Sequence, residues 1–246
     1  MAVFDRNHNL SQRMTQELGK AIVCGVYPKG ESLPTEAELC EQFGVSRTAV
    51  REAVKMLSAK GLISSRPRQG IRILPEVEWN IFDPDLLSWS LEGNPSLRVL
   101  REFLQLRIAV EPEAASLAAR FADDKSIAAI AEALERMRET KDKPEEALAA
   151  DIAFHTSILF ASRNRFYIRL RDFVETALNV SIRYTNPIKG DHNAVVEDHG
   201  KVYIAIKNRN PERARAAMLL LADEALTFIE EELAASGQPL DAPLQA

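Results

Sequence analysis

The stretch FGVSRTAVREAVKMLSAKGLI, residues 43–63, sets three basic side chains, Arg47, Arg51 and Lys55, four residues apart. A spacing of four returns a helix to one face, so these cations form a row. Val50, Val54 and Leu57 recur at helical period on a different face, which predicts a buried stripe. Ser46 stands where an N-cap is needed. A helix that buries one stripe and displays cations on another is suited to a polyanion such as the DNA backbone.

The flanking sequence gives this helix its setting. LSQRMTQELGKAIVCG, residues 10–25, places Leu10, Met14, Leu18, Ile22 and Val23 at helical spacing and ends on Gly25, predicting a first amphipathic helix. In YPKGESLPTEAELCEQFG, Thr35 is followed three residues later by Glu38, the pattern of a capping box, so a second, short helix runs to about Gly44. Two short helices joined by about three residues, the second carrying the basic row, form a helix-turn-helix with the row on its recognition helix. LISSRPRQGIRIL, residues 62–74, then reads as two short strands around a turn at Pro67 to Gly70, with Arg66, Arg68 and Gln69 near the tip. This is a wing, and its arginines are placed for a minor groove or phosphates.

Charge follows the same division. The chain of 246 residues has a net charge of −5, yet residues 1–75 hold 11 Lys/Arg against 7 Asp/Glu, and the remainder holds 20 against 29. Between residues 44 and 74 only Glu52 opposes seven basic residues. A cationic module ahead of an acidic one predicts a nucleic-acid-binding domain followed by a domain with another task. The boundaries expected are 1–75 for the winged helix-turn-helix, 76–235 for the second domain and 236–246 for a disordered tail. No apolar run of membrane-spanning length and no signal-peptide core is present, so a cytoplasmic location without membrane association is expected. Cys24 and Cys40 lack CxxC spacing and are read as small buried hydrophobes. GVYPKG, residues 25–30, has the glycine spacing of a phosphate loop, but Glu31 stands where the motif needs lysine.

The run from LPTEAEL through FGVSRTAVREAVKMLSAKGLI to Gly70 resembles the GntR family of bacterial transcription regulators over roughly residues 10–74. The resemblance implies that Arg47 and Arg51 contact DNA, that Thr48 contacts its backbone and that Gly70 lets the wing approach closely. Many members carry arginine where this chain has Ala37, which removes one candidate contact from the second helix.

From residue 76 onward the sequence turns rich in Ala, Leu and Glu, with no alternating pattern of useful length, and predicts an all-helical domain. Helices are expected at about 83–92, 97–121, 124–140, 145–162, 165–185, 193–208 and 211–234, with Pro112 kinking the second of these. Polar residues on apolar stripes are the informative ones. Asp151 and His155 share a face with Leu148, Ile158 and Leu159, His199 shares one with Val195, Val196, Val202 and Ile206, and Arg107 with Glu111 lies over Leu100 and Leu104. Buried charges are costly unless paired, so these positions are expected to converge on one another, a ligand or a metal. Each also has a simpler reading: Arg107 and Glu111 as an i, i+4 ion pair, and either histidine as a satisfied core residue.

LRIAVEPEAASLAA, DIAFHTSILFASRN and VVEDHGKVYIAIKNRNPERARAAM resemble segments of the FCD ligand-binding domain of the FadR branch, over about residues 97–225. That resemblance implies a mainly α protein in which an antiparallel helical bundle follows the winged helix, and a homodimer on a pseudo-palindromic operator. It also implies a metal held by one Asp and three His, of which Asp151, His155 and His199 match three. The fourth position is Leu221 here, and His192 replaces it only if its loop folds inward. Two imidazoles and a carboxylate suit zinc or nickel. WNIFDPDLLSWSLEG, residues 79–93, resembles the segment after the wing in galactonate-operon repressors and related sugar-acid regulators, which implies a small hydroxylated carboxylate as effector. Arg107 is then the candidate carboxylate clamp, Asp151 and His155 the hydroxyl partners, and Ser181, Tyr184 and Thr185 further candidates. Two other readings stand beside this ligand-responsive repressor. One is a metal hydrolase using Asp151, His155 and His199, although no HExxH, GxSxG or positioned nucleophile accompanies them; the other is an architectural DNA-binding protein without an effector.

Overall fold

A computed structural model describes residues 2–28, 30–67, 69–91, 97–189 and 192–236, with side chains given for these outside 2–9 and 183–189. The chain divides between residues 92 and 93 into two compact units, each with its own core.

In the first unit α1 (Ala2–Val23), α2 (Glu36–Phe43) and α3 (Arg47–Ala59) are followed by the hairpin of β1 (Ile63–Arg66) and β2 (Gly70–Ile73), then by a single 3-10 turn at Glu76–Glu78 and α4 (Pro84–Leu91). The sequence fixes these ends through capping. The Thr35 hydroxyl accepts from the Glu38 amide while the Glu38 carboxylate accepts from the Thr35 amide, and Gly44 closes α2 in the left-handed conformation at φ 62°. Ser46 accepts from the Ala49 amide and starts α3. The hairpin pairs antiparallel, Ile63 opposite Ile73 and Arg66 opposite Gly70. Leu33 and Glu31 extend it, through Leu33 N–H donating to the Ile71 carbonyl and Ile73 N–H to that of Glu31.

Met14, Leu18, Ile22, Leu39, Val50, Val54, Leu57, Leu62 and Ile73 close one core, as the periodicity required. Each fully buried Leu or Ile contributes about 1.5–3 kcal/mol. Leu86 and Trp89 of α4 belong to the same core, so the segment after residue 75 packs with the winged helix rather than with the second unit. Lys60, which caps α3, anchors it there: its ammonium lies 2.7 Å from Asp83 and 2.8 Å from Asp85, and sits over the Trp89 ring. Asp83 in turn accepts from the amides of Asp85 and Leu86 at the start of α4. The thiols depart from expectation: Cys24 is exposed and Cys40 half-buried, because α1 ends at Val23 and leaves Cys24 in the turn.

The second unit is helical throughout its described residues: α5 (Leu97–Phe121), α6 (Asp124–Glu139), α7 (Pro144–Ala161), α8 (Arg165–Arg169), α9 (Arg171–Lys189), α10 (His192–Lys207) and α11 (Pro211–Ala235). α5 packs on α7, α10 and α11, and α7 also on α6 and α9, so α5, α7 and α10 bring their inward faces together. α5 continues through Pro112, which is buried. The helix expected over 165–185 is broken at Leu170, whose amide turns back to both the Phe166 and Tyr167 carbonyls in a tighter turn. The expected disordered tail lies outside the described residues apart from Ser236, which closes α11.

Gly19 of α1 faces the Trp89 ring so closely that a Cβ there would overlap the ring carbons. Gly19→Ala is expected to destabilise the first unit by about 1–3 kcal/mol, because a buried indole must be displaced. Urea unfolding followed by tryptophan fluorescence measures it, and an unchanged midpoint would show that Trp89 does not pack there.

Candidate effector and cation site, and the DNA-binding face

Arg47, Thr48, Arg51 and Lys55 are all exposed on α3, opposite the buried Ala49, Val50, Ala53, Val54 and Leu57. Arg51 donates through Nε to Glu36 at 3.0 Å, and Lys55 reaches Glu52 at 2.9 Å. Arg66 and Gln69 are exposed at the wing tip, while Arg68 lies outside the described residues. Gly70 takes φ 74° with open space where a Cβ would stand, a backbone that L side chains rarely adopt. The expected DNA-contacting residues that are described therefore occupy exposed positions on the helix-turn-helix and its wing.

In the second unit the polar residues singled out on apolar stripes do converge. Arg107 and Glu111 come from α5, Asp151 and His155 from α7 and His199 from α10, and all five are at most 6% exposed. Arg107 binds Glu111 with two parallel bonds, Nε to Oε1 at 2.7 Å and Nη2 to Oε2 at 3.0 Å. Glu111 Oε2 also lies 2.9 Å from His155 Nδ1. His155 Nε2 is 3.3 Å from Asp151 Oδ1, and His199 Nε2 is 3.3 Å from the same oxygen. His199 fixes its other nitrogen on the main chain, with Nδ1 2.7 Å from the Val195 carbonyl. Phe154 packs edge-on against both imidazoles and closes an apolar wall.

Arg107 and Glu111 do form the simple i, i+4 ion pair, and that pair is part of a larger network through His155. Ser181 is buried on α9, and its hydroxyl has no hydrogen-bond partner among the described residues. The side chains of Tyr184 and Thr185 lie outside the described residues. His192 does not turn toward the cluster, since its Nε2 is 2.8 Å from the Met137 carbonyl on α6.

Burial by itself would raise the Glu111 carboxyl, but the Arg107 guanidinium and His155 outweigh it and hold the group at about 2. Burial likewise opposes ionisation of Asp151, and His199 and His155 more than reverse this, leaving it well below the usual carboxylate range. For His155 desolvation disfavours the charge, Glu111 restores it, and the net direction is up.

Asp151 Oδ1 and His199 Nε2 are buried without a hydrogen-bonding partner among the described residues; they approach each other but not with the alignment of a hydrogen bond. The donor atoms of Asp151, His155 and His199 lie within 4.8 Å of one another. Two imidazoles and one carboxylate, with two donor atoms otherwise unsatisfied, fit a divalent transition metal. Leu221 is buried and supplies no donor, so three protein ligands leave positions for water or an effector.

Comparison with known proteins agrees with both halves. Residues 10–73 match the bacterial regulatory proteins of the gntR family, and residues 102–223 match the FCD domain. The uncharacterized HTH-type transcriptional regulator YieP of Escherichia coli K12 is 37% identical, over 87% of this chain and 93% of its own. This chain belongs to the GntR family. The galactonate operon transcriptional repressor of E. coli K12 is 31% identical over 91% of this chain and 98% of its own. In fold, the chain is similar to E. coli McbR/YncC, with TM-score 0.51 and 19% identity over 91% of this chain and 98% of that one. The chain is thus a DNA-binding transcriptional regulator with an FCD effector domain, and not an enzyme, so the hydrolase reading is dropped. Among the described residues no helix is long and apolar enough to cross a membrane.

A carboxylate with a depressed folded pKa contributes stability above its unfolded value and loses it as pH falls through the folded one. Glu111 therefore stabilises the second unit above about pH 4.5, and this contribution disappears between about 4.5 and about 2. His155 has the opposite sign: its contribution is present below about 6.5 and lost as pH rises through its raised folded value. Glu111→Gln is expected to flatten the acid limb and, by leaving Arg107 unpaired, to cost about 3–5 kcal/mol at neutral pH. Urea unfolding across a pH series tests both, and an unaltered acid limb would contradict the assignment.

Proposed function

We propose that this regulator acts as a homodimeric repressor whose affinity for a pseudo-palindromic operator is set by a small hydroxylated carboxylate, of the sugar-acid class that includes galactonate, in the second unit. The observation that carries the ligand site is the buried convergence of Asp151, His155 and His199 with two donor atoms lacking partners. The sugar-acid class is supported by the likeness to the galactonate operon repressor and by the segment at residues 79–93.

On DNA, α3 enters the major groove with Arg47 and Arg51 at base edges, Thr48 and Lys55 near phosphates, and the wing residues Arg66, Arg68, Gln69 and Gly70 on the adjacent groove. In a dimer two such helices must meet half-sites about 34–36 Å apart, so a small rotation of either lowers operator affinity. In the effector site a zinc or nickel ion held by Asp151, His155 and His199 would supply a Lewis-acidic centre for an anion. The chain's own part is to hold those three groups, and Ser181, Tyr184 and Thr185 are the candidates for hydroxyl contacts. Arg107, expected to grip a carboxylate, already grips that of Glu111 and lends its positive charge to the same cluster.

Arg51→Ala is expected to cost about 1–3 kcal/mol on the operator and to relax preference at one base pair, whereas Arg66→Ala weakens operator and random duplex alike. Fluorescence anisotropy on both duplexes distinguishes them, and equal losses from both changes would remove base reading from Arg51. A bound sugar acid at about 100 times its Kd should add roughly 2.7 kcal/mol of stability. Melting the protein against a panel of sugar acids, each with and without chelator, reads this. No shift with any acid would reject the sugar-acid class while leaving the DNA-binding face untouched.

A further inference from the structure

We infer that Glu111 is the positioning residue of the cation site: it fixes the His155 ring so that Nε2 faces Asp151 and His199, and Arg107 serves chiefly to hold Glu111. The inference rests on the proposed cation reading of the site and assigns a role to a residue outside its three ligands.

An imidazole binds a cation through one nitrogen, and the hydrogen bond made by the other decides which nitrogen that is. For His199 the main chain decides, because Nδ1 donates to the Val195 carbonyl one turn earlier and Nε2 keeps its lone pair for the cluster. For His155 the matching acceptor is a side chain, with Glu111 Oε2 2.9 Å from Nδ1. The result is the same for both rings, each presenting Nε2 at 3.3 Å to Asp151 Oδ1. A side chain can perform this task only if it cannot rotate away.

Two features prevent that rotation. Glu111 is 1% exposed, and both of its oxygens are held by the Arg107 fork on the same helix. Arg107 Nη2 also lies 3.4 Å from Nε2 and 3.5 Å from Nδ1 of His155, nearly equidistant, so the guanidinium favours neither nitrogen and the 2.9 Å contact of Glu111 with Nδ1 is the one that distinguishes them. Of the two forks a guanidinium can offer a carboxylate, the Nε–Nη2 one is taken by Glu111 here. Carboxylates that hold the second nitrogen of a metal-binding histidine typically govern affinity by about 10- to 100-fold.

The test uses the full-length protein, with zinc as probe titrated against a chromophoric chelator. Glu111→Gln is expected to weaken zinc by about 10- to 100-fold, as is the double change Arg107→Gln with Glu111→Gln, which leaves neither charge buried alone. Nitrogen-15 NMR of labelled histidine supplies a reading that loss of stability alone would not give. Wild-type His155 should hold one tautomer with the proton on Nδ1 in the zinc-bound protein, and the variants should mix tautomers. His192→Gln, altered outside the cluster, should bind zinc as wild type does. Folded variants that bind zinc within about twofold of wild type and keep a single His155 tautomer would overturn the role of Glu111 alone. Wild-type protein that binds zinc no better than Asp151→Asn would instead remove the cation reading on which it rests.

Discussion

A carboxylate removed from water must be paired, and the organisation of the second unit follows from how Glu111 meets that requirement. Desolvating such a group costs several kcal/mol, which no helical propensity of α5 could offset. Arg107 one turn away supplies the charge and His155 on a neighbouring helix supplies a second donor. The bond to His155 ties α5 to α7, and Asp151, facing both His155 and His199, ties α7 to α10. Three helices are thereby held in one register around a polar centre, where apolar packing alone would tolerate sliding. Such a centre is expensive for stability, and function is the more natural reason for it.

The first unit solves a different problem with ordinary means. Its core is apolar, its helix ends are capped by Thr35, Glu38, Gly44 and Ser46, and its cations are exposed. It needs only to present α3 and the wing rigidly. The additional element is Lys60, bound to Asp83 and Asp85, which joins the end of α3 to the start of α4, while Trp89 seats α4 against Gly19 on α1. The recognition helix is thus fastened to the last described helix of its own unit.

Much of this was legible in the sequence because it depends on local chemistry. Capping residues, apolar periodicity and the four-residue basic row act within one helix, and they placed α2, α3 and most of the later helices. Charged residues on apolar stripes were equally legible, because burying them demands compensation wherever the chain folds; all five proved to lie together. What escaped depended on long-range contacts. Nothing near Leu170 marks a break, since no Gly or Pro stands there. The attachment of residues 84–91 to the first unit rests on Trp89 finding the one place on α1 that lacks a Cβ. The orientation of Arg107 was undecidable from spacing, because an i, i+4 partner and an external carboxylate are equally within its reach.

The central claim is that the buried cluster senses a ligand while the basic face binds DNA independently. It is tested most directly by comparing wild type with Asp151→Asn in operator titrations with and without the sugar acid that raises the wild-type melting temperature. Without the acid both proteins are predicted to bind operator with the same affinity, and only wild type should change its affinity when the acid is added. An Asp151→Asn protein that responds to the acid as wild type does, or that loses operator binding in its absence while remaining folded, would contradict the account.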